Sequence, residues 1–124
     1  MASLHGNWPL RLQDEYVRNA VVTKVYDGDT VTVDIDLGFG SWLKGQKLRL
    51  AGINAPEVRG ASRTEGLITR DWLRERVLGK TVKIRTLRSR NKGKYGRWLA
   101  FIHDDFETSL NSEMVTLGLA TVYK

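Results

Sequence analysis

The hydrophobic and polar positions of the chain alternate in several short runs that are typical of β-strands. In VTVDIDL, residues 31–37, four apolar residues occupy one face and Thr and two Asp occupy the other. The preceding run, YVRNAVVTKVY, carries three valines of one parity: Val17, Val21 and Val25. Asp27-Gly28 separates the two runs, and this dipeptide is a strong hairpin signal. We therefore predict two strands joined by a tight turn, with these valines and Leu37 facing the core.

Three further runs predict strands, and they cover residues 46–53, 81–87 and 96–103. In the first of them, Leu48 and Leu50 flank Arg49, so Arg49 must lie on the polar face. In the second, the inward positions are those of Val82, Ile84 and Thr86. The chain thus has enough alternating runs for a small β-structure.

Two segments have the periodicity of helices. Residues 64–78 carry a stripe that is suited to packing, and its members are Thr69, Leu73 and Val77. Thr64 is a suitable N-cap for this helix, and Gly79 is suited to ending it. A shorter helix is predicted at 109–117, ending at Gly118.

The order of three strands, a helix, two strands and a short helix predicts a mainly β chain with helices, an α+β fold. Short antiparallel strands of this number favour a closed or nearly closed barrel, because closure removes exposed edges. We expect a five-stranded barrel of the oligonucleotide/oligosaccharide-binding (OB) type with one helix packed at an end. The 124 residues predict a single domain over 1–124, in which residues 1–14 form a flexible or appended N-terminal segment.

A glycine-rich excursion, DLGFGSWLKGQ, lies between the second and third strands and carries Phe39 and Trp42. These aromatic side chains have two interpretations: they plug the core, or they offer a surface on which bases stack. We favour the core plug, because an aromatic pair beside glycines usually packs first.

Composition and charge narrow the class of partner. Lysine and arginine outnumber the acids 20 to 14, and the net charge of +6 favours polyanions such as nucleic acid or anionic lipid. No run approaches the roughly 18 apolar residues of a membrane helix, so we expect no membrane partner. The chain has no cysteine, which excludes disulfides and thiolate chemistry. The first residues contain no apolar signal core, which favours an intracellular protein, although a signal already removed would leave secretion open.

The stretch DGDT, residues 27–30, is the first candidate for chemistry. Aspartates and glycine are what a hairpin turn uses, so the pair can be purely structural. The alternative is that Asp29 directs a carboxylate at a hard cation such as calcium, which takes oxygen ligands.

The stretch RLAGINAPE, residues 49–57, is the second candidate. Arg49 either holds a phosphate through its planar guanidinium or pairs with a neighbouring carboxylate. Asn54 is either a metal ligand through its amide oxygen or a turn residue that bonds its own backbone. Pro56 restricts the loop, and Glu57 is then either a base for an attacking water or an ordinary surface acid.

The stretch KYGR, residues 94–97, is the third candidate. It can be a glycine turn that opens a strand, or a phosphate contact made by Arg97 with Lys94 and Tyr95 at the edge of the substrate. Phosphodiester hydrolysis needs this combination of groups: a cation, two guanidiniums for the growing equatorial charge, and a carboxylate that orients water.

The order of these motifs, followed by LGLATVY near the end, resembles the staphylococcal (micrococcal, thermonuclease) nuclease family over roughly residues 20–123. The resemblance implies a five-stranded barrel. It also implies a calcium-dependent (Ca2+) endonuclease that hydrolyses DNA and RNA with little sequence preference and leaves 3′-phosphate ends. We expect single-stranded or frayed DNA and RNA to be the partners, and we expect a monomer.

The same resemblance assigns roles to individual residues. It implies that calcium is held by Asp29, Asn54 and the backbone carbonyl of Ala55. Glu57 matches the glutamate that orients water, and the two phosphate-binding arginines match Arg49 and Arg97. The residues expected to contact nucleic acid are Lys94, Tyr95, Tyr123, Arg59 and Arg63. Tyr123 lies near the base-contacting tyrosines of the family but is not one of them, and Arg59 and Arg63 are interpreted as backbone contacts.

Asn54 is the main departure from the family pattern, since the reference enzyme has a carboxylate there. Calcium affinity follows ligand charge, so we expect this site to need more calcium. The alternative function is a nucleic-acid-binding module of the OB type in which catalysis is weak or lost. We favour the enzyme because Arg49, Glu57 and Arg97 are all present, and we rank a purely structural barrel last.

Overall fold

A closed barrel of five strands is the central feature of the computed structural model, which describes residues 15–87, 97–104 and 108–123. The strands in chain order are β1 (Glu15–Asp27), β2 (Thr30–Gly38), β3 (Ser41–Leu50), β4 (Ile53–Asn54), β5 (Thr81–Leu87), β6 (Trp98–His103) and β7 (Thr121–Val122). Around the barrel the order is β1-β2-β3-β6-β5, and β5 pairs with β1 to close it. The pairs are antiparallel except β3 with β6, which is parallel. The predicted mainly β barrel with helices is confirmed.

Two helices accompany the barrel among the described residues: α1 (Arg63–Val77), which follows a 3₁₀ turn at Gly60–Ser62, and α2 (Leu110–Thr116). The predicted stripe of α1, formed by Thr69, Leu73 and Val77, is buried. Gly79 follows α1 with a φ of +77°, so the predicted end is confirmed. The predicted N-cap is wrong: Ser62 takes that place, because the 3₁₀ turn starts the helix earlier. Neither described helix is long and apolar enough to cross a membrane.

A β-bulge in β1 overturns the predicted parity of its valines. The buried side chains of this strand are those of Ala20, Val22 and Val25, whereas Val21 is only half-buried. The register shifts between Val22 and Lys24, so Thr23 is an extra residue opposite β2. One inserted residue reverses which parity faces the core, and a uniform period of two could not reveal it.

The hairpin between β2 and β3 projects away from the core. Phe39 is fully exposed, and Leu37 and Trp42 are nearly half-exposed, so the predicted core plug and the inward orientation of Leu37 are wrong. The reason is topological: β1 pairs with β2 only as far as Ile35, and β6 reaches β3 only at 48–50. Beyond those limits the hairpin has no neighbouring strand and therefore no interior to fill.

Two close contacts position the turn between β1 and β2 and the loop after β4. Asp27 pairs with Thr30, so the predicted tight turn is present but consists of Gly28 and Asp29, one residue later than the Asp27-Gly28 dipeptide. A methyl group at Gly28 would overlap the side chains of Thr69 and Ala55. The turn can therefore press against both α1 and the loop after β4 only because residue 28 is glycine.

A buried amide connects α2 to the same region. Asn111 accepts a hydrogen bond from the N–H of Ile102 at 3.1 Å and donates to the carbonyls of Ala51 (2.8 Å) and Ala100 (3.1 Å). Ala51 lies between β3 and β4, so this amide holds the short turn that separates Arg49 from Asn54. Buried polar groups need such partners, and here one side chain satisfies three backbone groups.

Candidate functional site

A cleft of about 630 Å³ lies over β1, β2 and β3 at the end of the barrel where the β1–β2 turn meets the loop after β4. We call it the central cleft, and its lining consists of Lys24, Tyr26, Asp27, Asp29, Thr30, Thr32, Lys47, Arg49, Asn54, Ala55, Glu57, Val58, Arg59 and Arg97. Most of the site residues predicted from the sequence therefore share one cavity. They come from segments that are far apart in the chain.

Asp29 is a buried carboxylate that joins two of these segments. Its Oδ2 accepts a hydrogen bond from the backbone N–H of Ala55 at 2.9 Å and lies 3.5 Å from Nη1 of Arg49. Its Oδ1 accepts from the hydroxyl of Thr30 at 3.3 Å. A charged acceptor that binds a backbone N–H is stronger than a neutral one, so this contact holds the loop after β4 against the β1–β2 turn.

Arg49 is held in place by backbone carbonyls as well as by charge. Its Nη1 donates to the carbonyls of Leu50 (2.8 Å) and Ile53 (3.0 Å), and its Nη2 lies 3.5 Å from Oδ1 of Asn54. Only 17% of the side chain is exposed. The guanidinium is therefore fixed along the turn to β4, with Asp29 and Asn54 as neighbours, and it loses little conformational freedom when an anion binds.

Arg97, which directly precedes β6, lines the same cleft. Its Nη1 donates to Oγ1 of Thr30 at 3.1 Å. Thr30 is also the register partner of Arg49 across β2 and β3. Two consecutive residues, the last of the turn and the first of β2, thus contact the two arginines: Asp29 is the neighbour of Arg49, and Thr30 is the partner of Arg97. Two guanidiniums in one cleft can neutralise two oxygens of one phosphate.

Asp27 is a site residue that our sequence reasoning assigned only to the turn. Its Oδ1 accepts from the backbone N–H of Asp29 at 3.1 Å, which brings the two carboxylates together. Burial and the negative charge of Asp29 raise the pKa of Asp27 to about 6. The signal was present in the sequence, because two acids separated by one glycine at a tight turn lie close together.

Glu57 is exposed at the rim of the central cleft, and its backbone has two restraints. The hydroxyl of Ser62 donates to its carbonyl oxygen at 3.3 Å. Gly66 of α1 packs against the same carbonyl so closely that a methyl group there would overlap it. Gly66 was not identified from the sequence. A glycine inside a helix costs about 1 kcal/mol in helix propensity, which is a signal that the position has a packing or functional requirement.

The oxygen atoms that meet here suit a hard cation in type. They belong to the carboxylates of Asp29 and Asp27 and to the amide of Asn54, and Ala55, whose carbonyl the sequence analysis expects as a ligand, lines the same cleft. Calcium prefers oxygen ligands of these kinds. The pKa of Asp27 is raised first by burial and then by the negative charge of Asp29, and a bound cation would offset both effects. Across residues 15–87, 97–104 and 108–123, however, no three His, Cys, Asp or Glu side chains form a metal-holding group. The donor types are thus ones that calcium accepts, and the acidic groups among them are few.

The comparisons with known proteins bear on residues 47–124, which match the family model described as staphylococcal nuclease homologue. The chain belongs to this family. The match contains Arg49, Asn54, Ala55, Glu57 and Arg97, and it begins after the DGDT turn. A search of curated proteins found no match to the chain.

The residues predicted to contact nucleic acid lie in different places relative to the central cleft. Arg59 lines the central cleft, and its Nη2 donates to the hydroxyl of Tyr26 at 3.2 Å. Tyr123 is exposed, and its ring lies 5.7 Å from the guanidinium carbon of Arg49, so it adjoins the cleft through that arginine. Arg63 is exposed at the start of α1 and does not line the cleft. Lys94 and Tyr95 lie outside the described residues.

Proposed function

We propose that this nuclease homologue is a calcium-dependent endonuclease that hydrolyses phosphodiester bonds of DNA and RNA with little sequence preference and leaves 3′-phosphate ends. The proposal rests on one observation above all: Asp29 and Thr30 hold Arg49 and Arg97 in the cleft that Glu57 also lines. The groups that this reaction needs are thus gathered around a space large enough for a phosphate and the adjoining sugar.

Each residue has a role in this proposal. Glu57 orients and deprotonates a water molecule for in-line attack on phosphorus. Arg49 and Arg97 stabilise the charge that grows on the equatorial oxygens. Asp29, Asn54 and the Ala55 carbonyl would hold calcium, which when bound supplies positive charge beside the scissile phosphate. The bond from phosphorus to the 5′ oxygen breaks, and that oxygen leaves as a 5′-hydroxyl after taking a proton from solvent.

Low sequence preference follows from the chemistry of the lining. The cationic groups that line the central cleft are guanidiniums and ammonium groups, which recognise phosphate and not the edges of particular bases. A single strand can enter such a cleft without being unpaired first. We therefore expect single-stranded DNA and RNA to be cut faster than the matching intact duplex.

A second candidate is a binding module that holds nucleic acid without cutting it. The observation that favours it is Asn54, whose neutral amide stands where the family's reference enzyme has a carboxylate. With so few carboxylates at the site, calcium could bind too weakly to support hydrolysis. The basic lining of the cleft would still bind phosphates in a salt-sensitive way.

Digestion of single-stranded DNA decides between these two candidates. The wild type is compared at millimolar calcium and in EDTA, with Glu57→Ala as the catalytic variant and Glu75→Ala, an exposed glutamate of α1, as the matched control. We expect calcium-dependent cutting by the wild type and the control, and a loss of at least 100-fold in Glu57→Ala. End-group analysis of the products then tests the 3′-phosphate.

Two results would contradict the proposal. Tight, salt-sensitive binding without cutting at any calcium concentration would make this chain a binding module. Equal cutting by wild type and Glu57→Ala would remove Glu57 from the reaction and would point to a contaminating nuclease.

A further inference from the structure

The central cleft continues past the proposed phosphate site along the outer faces of β1, β2 and β3. Thr32 pairs with Lys24 on one side and with Lys47 on the other, so these three residues form a row across three adjacent strands. The neighbouring row contains Thr30 and Arg49. The rows are two residues apart, which is about 6.6 Å along a strand. That spacing suits consecutive phosphates of an extended single strand.

An aromatic side chain stands beside this row. Tyr26 lines the same cleft, and 51% of the residue is exposed, so a face of the ring is open to a ligand. Its hydroxyl accepts a hydrogen bond from Arg59 at 3.2 Å, which fixes both the ring and the guanidinium. A basic row with an aromatic neighbour is the combination that binds one nucleotide, because the base stacks while the phosphate is neutralised.

Two acidic residues follow the row along β2. The next two outward positions of β2 are Asp34 and Asp36, both of which are half-buried and lie on the face that carries Thr30 and Thr32. Their carboxylates accept hydrogen bonds from the N–H groups of Gly45 and Gly38, at 2.9 Å and 2.8 Å. Acids held on this face repel a phosphate, so a bound strand must leave the surface after the basic row.

We infer that Lys24, Tyr26, Thr32, Lys47 and Arg59 form a subsite for the one nucleotide that adjoins the scissile phosphate, and that Asp34 and Asp36 end it. This inference rests on the proposed function, since it assumes that Arg49 and Arg97 bind the scissile phosphate. It goes further in naming the ligand of an unassigned part of the cleft: one base and one phosphate of a single strand. Tyr123 adjoins Arg49 on the β3 side, whereas Tyr26 belongs to β1.

Short thymidine oligonucleotides test the subsite. The dimer contains one phosphodiester, and two trimers extend it by one nucleotide on either side. Every linkage but one is a phosphorothioate, which keeps the negative charge and slows cleavage. Tetramers extend the favoured trimer by one more nucleotide. The values of kcat/KM for wild type are measured with calcium by chromatography of the products, and the Kd values are measured by calorimetry in EDTA.

For the wild type we expect one of the two trimers to exceed the dimer about tenfold in kcat/KM, the effect of one stacked base and one phosphate contact. The tetramer should add less than twofold. Tyr26→Ala and Lys24→Met should each reduce the trimer-to-dimer ratio to about two, whereas Tyr26→Phe should keep most of it. Lys83→Met, at an exposed lysine on β5, is the matched control and should leave the ratio unchanged. Asp34→Asn with Asp36→Asn, which keep an acceptor oxygen, should increase the gain from the tetramer.

Failure of the subsite and failure of the hydrolysis give different results. If wild type cuts all three lengths equally, or if Tyr26→Ala leaves the trimer-to-dimer ratio unchanged, the subsite is overturned while the nuclease stands. If wild type cuts nothing, the proposed hydrolysis fails, and the Kd ratio of trimer to dimer in wild type and Lys24→Met decides the subsite. Equal losses in Tyr26→Phe and Tyr26→Ala would overturn the stacking of a base on Tyr26.

Discussion

The carboxylate of Asp29 accepts a hydrogen bond from the backbone N–H of Ala55 at 2.9 Å, which joins two segments 26 residues apart. One consequence is that the carboxylate of the β1–β2 turn and the backbone of the loop after β4 meet in one cleft. Another is that Arg49, 3.5 Å from the same carboxylate, is held between them. This contact therefore helps to fix where the β1–β2 turn and the loop after β4 lie relative to each other.

Asn54→Asp should lower the calcium concentration needed for half-maximal activity by about tenfold, because calcium affinity follows the number of ligand charges. Nη2 of Arg49 lies 3.5 Å from Oδ1 of Asn54, so the new carboxylate would have a cationic neighbour and would be tolerated. The measurement is a calcium titration of single-strand cleavage. Asn19→Asp, an exposed position on β1, is the control for added charge. Identical midpoints for wild type and Asn54→Asp would remove residue 54 from the calcium site.

Asp27→Asn should stabilise the calcium-free protein above pH 6 and not below pH 4. Burial and the charge of Asp29 raise the pKa of Asp27 from 3.8 when unfolded to about 6 when folded. Between these values the folded state binds more protons, so its stability falls as pH rises and stays lower above pH 6. With solvent screening of a half-buried group, the loss is about 1 kcal/mol. Urea unfolding in EDTA at pH 4 and pH 7.5 measures it.

Added calcium provides a second test of the raised pKa of Asp27. A bound cation favours the ionised form of Asp27, so added calcium should increase the melting temperature more at pH 7.5 than at pH 5. A wild-type protein whose stability rises steadily from pH 4 to pH 7, with Asp27→Asn following the same curve, would show that Asp27 has no raised pKa.

Gly66→Ala should reduce both stability and activity. Helix propensity alone would favour alanine by about 1 kcal/mol, but a methyl group at this position would overlap the Glu57 carbonyl. Overpacking of this kind costs about 1–3 kcal/mol, and relief requires the Glu57 loop to move. We expect kcat to fall at least tenfold, because the proposed base would be misplaced.

Thr64→Ala, an exposed position in the same helix, is the matched control and should change stability by less than about 0.5 kcal/mol. The two measurements are urea unfolding and single-turnover cleavage. A Gly66→Ala protein more stable than wild type and fully active would show that α1 does not set the position of Glu57.

Asn111→Leu should destabilise the protein by about 2–4 kcal/mol, although leucine has a similar volume. The substitution removes the hydrogen-bond partner of the buried Ile102 N–H and of the Ala51 carbonyl. Because Ala51 lies between β3 and β4, activity should fall at temperatures below the unfolding transition as well. Asn19→Leu, at an exposed position of β1, is the control: it makes the same change of residue type where no buried hydrogen bond is lost. A loss below 0.5 kcal/mol would contradict the role of this amide.

Local sequence patterns predicted the secondary-structure elements well wherever an element depends only on residues that are close together in the chain. Alternation in 31–35 and 81–86, a tight turn at Gly28 and the stripe of α1 are properties of short segments, and the structure confirms them. The errors arise where a distant segment decides the outcome. The parity of β1 depends on a bulge against β2, and the exposure of Phe39 depends on where β1 and β6 stop pairing.

By itself the sequence determined the mainly β barrel, the family and the chemical types of the site residues, since strand period, turn residues and motif order are local and discrete. Only the tertiary structure decided which of these residues meet. Asp27 joins the site because its carboxylate is buried beside Asp29, and Gly66 matters because α1 presses against the Glu57 backbone. Tyr26 and Lys24 face the cleft because the bulge at Thr23 sets their side of β1. Contacts between segments far apart in the chain depend on packing and register, which no single segment encodes.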